Sequence, residues 1–273
     1  MDPAGHIAAL DREGAALVTA AERAGLLTPV PSCPAWQVRD LLRHLGYVHR
    51  WAAGYVGQQL GDEVPELTEA EQLAGGPPDS ELLDWFRAGH AALTQTLESA
   101  APDVACWTFL PAPTPLAFWA RRQAHETAIH RADAALAAGQ DPVYPPALAA
   151  DGIDELLLAF FGRDGSDQDG ASPDGARPDG ASGASGPGRR LRFRTTDTGH
   201  QWCARISADS GRTEFTGRGP GRGPAADCEV AGPASSLYRL LWKRTGSGPG
   251  DITISGSEQL LLDWQAGIQL VWA

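Results

Sequence analysis

Lysines and long apolar runs are scarce in this chain of 273 residues. Lys243 is its single lysine, and 34 acidic residues against 22 basic ones give a formal net charge of −12. Such a surface repels phosphate backbones and anionic lipid, which argues against nucleic acid and membranes as partners. No apolar run approaches the roughly 20 residues of a membrane-spanning helix, and no signal peptide is recognisable.

Cysteines are also few, and none are paired in sequence. The four are Cys33, Cys106, Cys203 and Cys228, with no C-x-x-C spacing. A chain of this length buries a sizeable core without cross-links, so its fold requires no disulfide. We therefore expect a soluble, reduced protein of the cytoplasm.

One segment divides the chain. Residues 162–190 repeat the pentads DGASP, DGARP and DGASG and contain no large apolar residue. Such a composition cannot bury enough surface to offset its ordering entropy. The prediction is a helical domain over residues 1–161, a linker or surface loop over 162–190, and a second domain over 191–273.

The region before the linker has helical periodicity and no convincing strand. Five stretches space their apolar residues as helices do: 3–24, 34–58, 80–100, 115–138 and 147–161. Pro34 stands at a plausible first helical position, Ser80 is a candidate N-cap, and Gly139 is a stop signal. Helical hairpins of this length predict an antiparallel bundle.

The region after the linker has a different pattern. The segments LRFRTT and QWCARIS alternate as strands do, and DCEVAG and DITISG are short β-like runs. Two helix-like segments, SSLYRLLWKR and SEQLLLDWQAG, lie among them. The fold class expected for the whole chain is α plus α+β, with the smaller α+β domain at the C-terminus.

The segment AHETAIHRAD carries two histidines and two carboxylates on a predicted helix. Glu126 and His130 are four residues apart and share a face, whereas His125 lies about 140° away from His130 around the axis. This separates the motif from H-E-x-x-H, in which both histidines bind zinc. Here Glu126 would be a metal ligand together with His130.

A catalytic zinc site usually has three protein ligands and an open position, so a further ligand must come from another helix. His44 lies on the apolar stripe of the second helix, while His49 lies about 140° away from that stripe. The resulting set is His44, Glu126 and His130. The spacing leaves other interpretations open: a hydrogen-bonded core histidine, and an exposed helical pair whose neighbouring charge is Arg122 or Arg131.

Two residues near this set have open roles. Asp133 either accepts a hydrogen bond from His130 as an outer partner or is a solvated charge near a helix end. Cys33 precedes a predicted helix, and we interpret it as a capping or packing residue rather than a nucleophile. His6, His90 and His200 have no companions in sequence and are assigned structural roles.

Three segments, VPSCPAWQVRDLLRHLGYVHRW, FWARRQAHETAIHRADAAL and DCEVAGPASSLYRLLWKR, resemble the mycothiol-dependent maleylpyruvate isomerase family of the DinB/YfiT-like superfamily. The resemblance implies a DinB-like four-helix bundle followed by a small α/β domain like sterol carrier protein 2. It also implies that His44, Glu126 and His130 bind a metal ion. This ion is usually Zn²⁺, and another divalent metal is possible. Arg244 corresponds to an arginine that faces the site from the second domain and could clamp a substrate carboxylate, or it is a helix-end arginine that complements the helix dipole.

The resemblance further implies a function. An open metal position lowers the pKa of a bound thiol, so that the thiolate of mycothiol attacks a small electrophilic substrate in an isomerisation or S-transfer. The alternatives are a non-catalytic protein that binds metal or a small apolar ligand, and a degenerate relative with a vacant site. A fourth protein ligand such as His49 or Asp133 would favour a structural metal. The oligomeric state stays open.

Overall fold

A computed structural model describes residues 1–64, 67–161, 188–207, 213–216, 225–245 and 251–267. The chain forms two compact units. The first comprises Met1–Tyr144 with Arg239–Gly248 and Ala273, and the second comprises Pro145–Tyr238 with Pro249–Trp272. The predicted boundaries at 161 and 191 stay predictions, since most of the proposed linker lies outside the described residues.

Long helices build the first unit. Its helices are α1 Pro3–Ala24, α2 Val38–Gln58, α3 Glu69–Ala74, α4 Asp79–Ser99 and α5 Pro115–Ala137. Helix α1 packs on α4 and α5, and α2 packs on the same two helices. Their apolar stripes meet in a core that includes Leu17, Leu41, Leu45 and Phe86, all fully buried. The predicted helices at 3–24, 80–100 and 115–138 are therefore confirmed to within a residue or two.

Local signals explain where α1 and α5 begin and end. The Asp2 carboxylate accepts the Gly5 N–H at 2.8 Å, and the Thr114 hydroxyl accepts the Ala117 N–H at 3.1 Å. Helix α5 stops before Gly139, whose φ of 68° favours glycine. These caps set the register of α5, which carries the HETAIH motif.

The start of α2 differs from the prediction. Cys33–Gln37 forms strand β2, paired antiparallel with β1, Pro29–Val30, so both the helix start at Pro34 and the absence of strands are wrong. The Asp40 carboxylate accepts the Gln37 N–H at 2.9 Å, which caps the helix at Gln37 and stops it from extending back to Pro34.

Two smaller features also depart from the prediction. Helix α4 begins at Asp79 behind Pro78, so Ser80 is not its cap. The short helix α3 was not anticipated, although Thr68 and Glu71 form a capping box at its start.

The second unit contains a five-stranded sheet. Its elements are α6 Pro146–Asp154, a π-helical turn Glu155–Phe160, β3 Arg189–Thr195, β4 Gln201–Ile206, β5 Thr213–Thr216, β6 Cys228–Gly232, α7 Ala234–Leu241, β7 Thr253–Gly256 and α8 Glu258–Gly267. The strand order is β5-β4-β3-β6-β7, with only β3 and β6 parallel among these strands. Alternate residues such as Leu191 and Phe193 are buried on one face.

The fold class is thus confirmed as a mostly helical N-terminal region with a smaller sheet-containing C-terminal region. Strand β5 was not anticipated, and helix 147–161 ends in a π-helical turn. Over the described part of the chain, no helix has the length and hydropathy to cross a membrane.

Candidate metal centre

The three predicted ligands meet between α2 and α5. One possible ligand atom from each of His44, Glu126 and His130 lies within 4.8 Å of the others. His130 Nε2 is 3.1 Å from Glu126 Oε1, and His44 Nε2 is 3.8 Å from the same oxygen. Glu126 and His130 are only 8% and 2% exposed, which excludes the interpretation of a solvated helical pair.

Arg122 neutralises the buried carboxylate of Glu126. It lies one helical turn earlier on α5, and its Nη2 donates to Glu126 Oε2 at 2.8 Å. Burial alone would raise the pKa of Glu126, but the hydrogen bond from His130 and the charge of Arg122 hold it well below its usual range. Glu126 is therefore an anion, as a metal ligand must be.

Asp133 is the outer partner of His130. Its Oδ2 is 2.8 Å from His130 Nδ1 and its side chain is fully buried, which confirms the predicted contact and excludes a solvated charge. Burial would lower the pKa of His130, yet hydrogen bonds to Asp133 and Glu126 outweigh it and raise the pKa to about 9. In the metal-free protein at neutral pH, a proton therefore lies between His130 and Glu126.

Arg244 reaches this centre through Asp133. Its Nε donates to Asp133 Oδ1 at 2.9 Å, its Nη2 to Oδ2 at 3.3 Å, and its Nη1 to the Trp242 carbonyl at 2.8 Å. Burial would raise the pKa of Asp133, but the charge of Arg244 and the bond to His130 lower it to about 2. Arg244 belongs to the first unit, and the carboxylate that it holds bidentately is that of Asp133.

Two residues of the β1–β2 hairpin complete the surroundings of Asp133. The Ser32 hydroxyl donates to Asp133 Oδ1, and Cys33 Sγ lies 4.0 Å from Arg244 Nη2. Burial, followed by the charge of Asp133, raises the pKa of Cys33 to about 11. Cys33 is therefore a neutral thiol, in agreement with a packing role, although it lies in a strand and not at a helix start.

Trp36 covers the two histidines. Its ring centre is 5.0 Å from that of His44 and 6.3 Å from that of His130, with the latter pair stacked. The indole is 2% exposed. It shields the imidazoles from water on the side of β2, which strengthens the electrostatic interactions among them.

Four other histidines make contacts outside this set of three. His49 is fully buried, with Nε2 2.9 Å from the Thr127 hydroxyl, and its ring is 5.3 Å from that of His90. The ring of His125 lies 6.0 Å from that of His6. His6 and His90 thus have histidine neighbours that sequence spacing did not reveal. His49 is thus bonded to Thr127, and Asp133 to Nδ1 of His130 rather than to the Nε2 that faces Glu126.

This donor set fits a divalent metal. Two imidazole nitrogens and one carboxylate oxygen are a ligand combination typical of catalytic zinc, and other divalent ions accept the same donors. The contact between His130 Nε2 and Glu126 Oε1 is held by a proton that a cation can replace. Among the residues that the structure describes, neither His49 nor Asp133 joins this set, so a metal held here would have three protein ligands.

Comparisons with known proteins agree over most of the chain. The family model described as "Mycothiol maleylpyruvate isomerase N-terminal domain" matches residues 7–135, and the "MDMPI C-terminal domain" model matches residues 147–263. Two crystal structures of mycothiol-dependent maleylpyruvate isomerase, one of them a mutant, are similar in fold. Their sequences are 13% identical to this chain for the mutant and 12% for the other. Each superposes with a TM-score of 0.60 over 93% of this chain and 93% of its own. No curated protein sequence matches significantly.

Proposed function

Because the chain belongs to the mycothiol maleylpyruvate isomerase family, we propose that it is a zinc- and mycothiol-dependent isomerase or S-transferase acting on a small electrophile. The observation that carries the proposal is the buried set of His44, Glu126 and His130, to which no other residue in the described part of the chain adds a fourth ligand. When bound, the metal would supply a Lewis acid that lowers the pKa of a coordinated thiol.

The side chains of the centre have separate tasks in this proposal. His44 and His130 direct their Nε2 atoms at Glu126 Oε1, and the Glu126 carboxylate supplies the single negative charge among the three ligands. Asp133 orients His130 through its Nδ1. A net positive centre results, because Arg122 and Arg244 offset the two carboxylates, and this favours an anionic thiolate over a neutral thiol.

The substrate step follows from thiolate chemistry. For a maleylpyruvate-like substrate, the thiolate adds to the conjugated double bond, rotation takes place about the resulting single bond, and expulsion of the thiolate leaves the trans isomer. Arg244 retains a second N–H on Nη1 beyond the one donated to Trp242. We assign to Arg244 the binding of a substrate carboxylate through this edge, as well as the anchoring of Asp133.

Turnover of maleylpyruvate by the purified protein tests the proposal. We expect isomerisation with mycothiol, none without a thiol, and loss of activity after a chelator that returning zinc reverses. Activity that needs no thiol, or that survives metal removal, would refute it. Stoichiometric zinc without any thiol-dependent reaction on this or other electrophiles would leave a non-catalytic metal-binding protein.

The pKa of His130 predicts proton release on metal binding. His130 is protonated below about pH 9 in the metal-free protein and must be neutral to bind zinc. Below that pH each bound zinc should displace about one proton, and the apparent affinity should rise about tenfold per pH unit up to about pH 9. Calorimetry in buffers of different ionisation enthalpy measures the protons released. The Asp133→Asn substitution removes one cause of the raised pKa of His130. The zinc affinity of this variant should therefore stop rising at a lower pH than that of the wild type.

A further inference from the structure

The short helix α3 contacts the centre through a side chain that no motif indicated. Gln72 is 4% exposed, and its Oε1 lies 2.7 Å from His44 Nδ1. Its Nε2 donates to the Leu67 carbonyl at 2.8 Å. The amide thus bridges the backbone at the start of α3 and a proposed metal ligand on α2.

These two contacts determine which ring nitrogen of His44 carries the proton. The Leu67 carbonyl can only accept a hydrogen bond, so the amide nitrogen of Gln72 faces it and the amide oxygen faces the imidazole. An amide oxygen also only accepts, so His44 Nδ1 is the donor. The lone pair of neutral His44 then lies on Nε2, which is the nitrogen directed at Glu126.

A second contact fixes α3 three residues earlier, on the same helical face. Glu69 Oε1 accepts the indole N–H of Trp36 at 2.6 Å, and the Trp36 ring lies against His44. The capping box of Thr68 and Glu71, in which Glu71 Oε2 accepts the Thr68 N–H at 2.9 Å, holds the first turn. Helix α3 is thereby held against the imidazole from two directions.

We propose that Gln72 is a positioning residue that holds His44 in the Nδ1–H tautomer with Nε2 directed at Glu126. The consequence for metal binding rests on the centre proposed above, whereas the tautomer itself does not. Gln72 differs from Asp133, the partner of the other histidine, because an amide adds no charge. It therefore orients His44 and leaves the net positive charge of the centre intact.

Nitrogen-15 NMR of the histidine rings in the metal-free protein tests the tautomer directly. The spectra compare wild type with Gln72→Met, which removes the acceptor, and Gln72→Glu, which keeps one. Gln58→Met, an exposed glutamine at the end of α2, is the matched control. Measurements are made at mildly alkaline pH, where an imidazole is ordinarily neutral. Circular dichroism confirms that each variant is folded.

We expect wild type and Gln58→Met to show a protonated Nδ1 and an unprotonated Nε2 for His44, and Gln72→Glu to keep Nδ1 protonated. Gln72→Met should show a mixture of tautomers, together with a zinc affinity weaker by about 10- to 100-fold. An unchanged His44 pattern in Gln72→Met would overturn the inference whatever the zinc affinity. A wild type that binds no zinc, but whose tautomer responds to Gln72→Met, would support the inference and refute the proposed function.

Discussion

Glu126→Gln is expected to abolish zinc binding and thiol-dependent activity. The substitution keeps the shape of the side chain but removes the negative charge from the three proposed ligands. We expect zinc affinity to fall by more than the roughly 100-fold that loss of an outer partner costs, with catalytic rate falling in parallel. Competition with a chelator of known affinity measures the first, and turnover at saturating zinc measures the second.

The same substitution affects stability for a separate reason. Arg122 is 2% exposed and loses its ionised partner, although the new amide oxygen still accepts a hydrogen bond. We expect the metal-free Glu126→Gln protein to lose about 1–3 kcal/mol of unfolding free energy. Adding Arg122→Met removes the buried guanidinium charge and should recover stability without restoring zinc affinity. Recovery of zinc binding in the double variant would contradict the role of Glu126 as a ligand.

A surface carboxylate provides the control. Glu22 is about half exposed, and its carboxylate pairs with Arg87. Glu22→Gln should change neither zinc affinity nor turnover, because exposed ion pairs contribute little and this one is not part of the centre.

Arg244→Met is expected to be among the most destabilising substitutions in the first unit. The side chain of Asp133 is fully buried, and Arg244 is the guanidinium that binds both of its oxygens. Removal of one member of such a buried pair costs about 3–5 kcal/mol. Chemical denaturation of the metal-free and zinc-loaded proteins measures the loss.

Two further variants test whether the loss of stability comes from the unpaired charge of Asp133 or from the removal of any arginine. Asp133→Asn combined with Arg244→Met removes both charges and should recover at least half of the stability, while turnover stays low because His130 has lost its carboxylate. Arg239 pairs at 2.7 Å with Asp141, whose side chain is 55% exposed, and Arg239→Met should cost under about 1 kcal/mol. Equal losses for the two arginines would show that the Asp133 contact contributes no special stability.

The convergence of His44, Glu126 and His130 could be predicted from sequence because a helix fixes the relative directions of its side chains. Four-residue spacing placed Glu126 and His130 on one face, and position on an apolar stripe directed His44 into the unit. The family resemblance pointed to the same residues, and the family models confirm that resemblance and, with it, the prediction of an enzyme. The assignment of the three residues to a metal stays a proposal.

Helix spacing indicated Asp133 but not the other outer partners, because these come from other segments. Gln72 lies on a six-residue helix, Ser32 and Trp36 lie in or next to a short hairpin, and Arg244 follows α7. Their contacts depend on tertiary packing and have no sequence period. At Pro34, the local signal for a helix start was outweighed by two other interactions, the Asp40 cap and the pairing of β1 with β2.

The burial of His49 has a similar explanation. Its position about 140° from the stripe predicted that it would not share the site of His44. Helix α2, however, packs on both α4 and α5, so a wide arc of its surface is buried. His49 therefore reaches Thr127 inside the unit and is not part of the ligand set.

The most direct test of the central claim is the absorption spectrum of the cobalt(II)-loaded protein during titration with mycothiol. We expect about one cobalt per chain, visible bands of low-coordinate geometry, and a near-ultraviolet thiolate-to-cobalt band that saturates at about one thiol per metal. Glu126→Gln should show none of these. A wild-type protein that takes up no cobalt, or whose spectrum mycothiol leaves unchanged, would contradict a metal centre with a position open to the thiol.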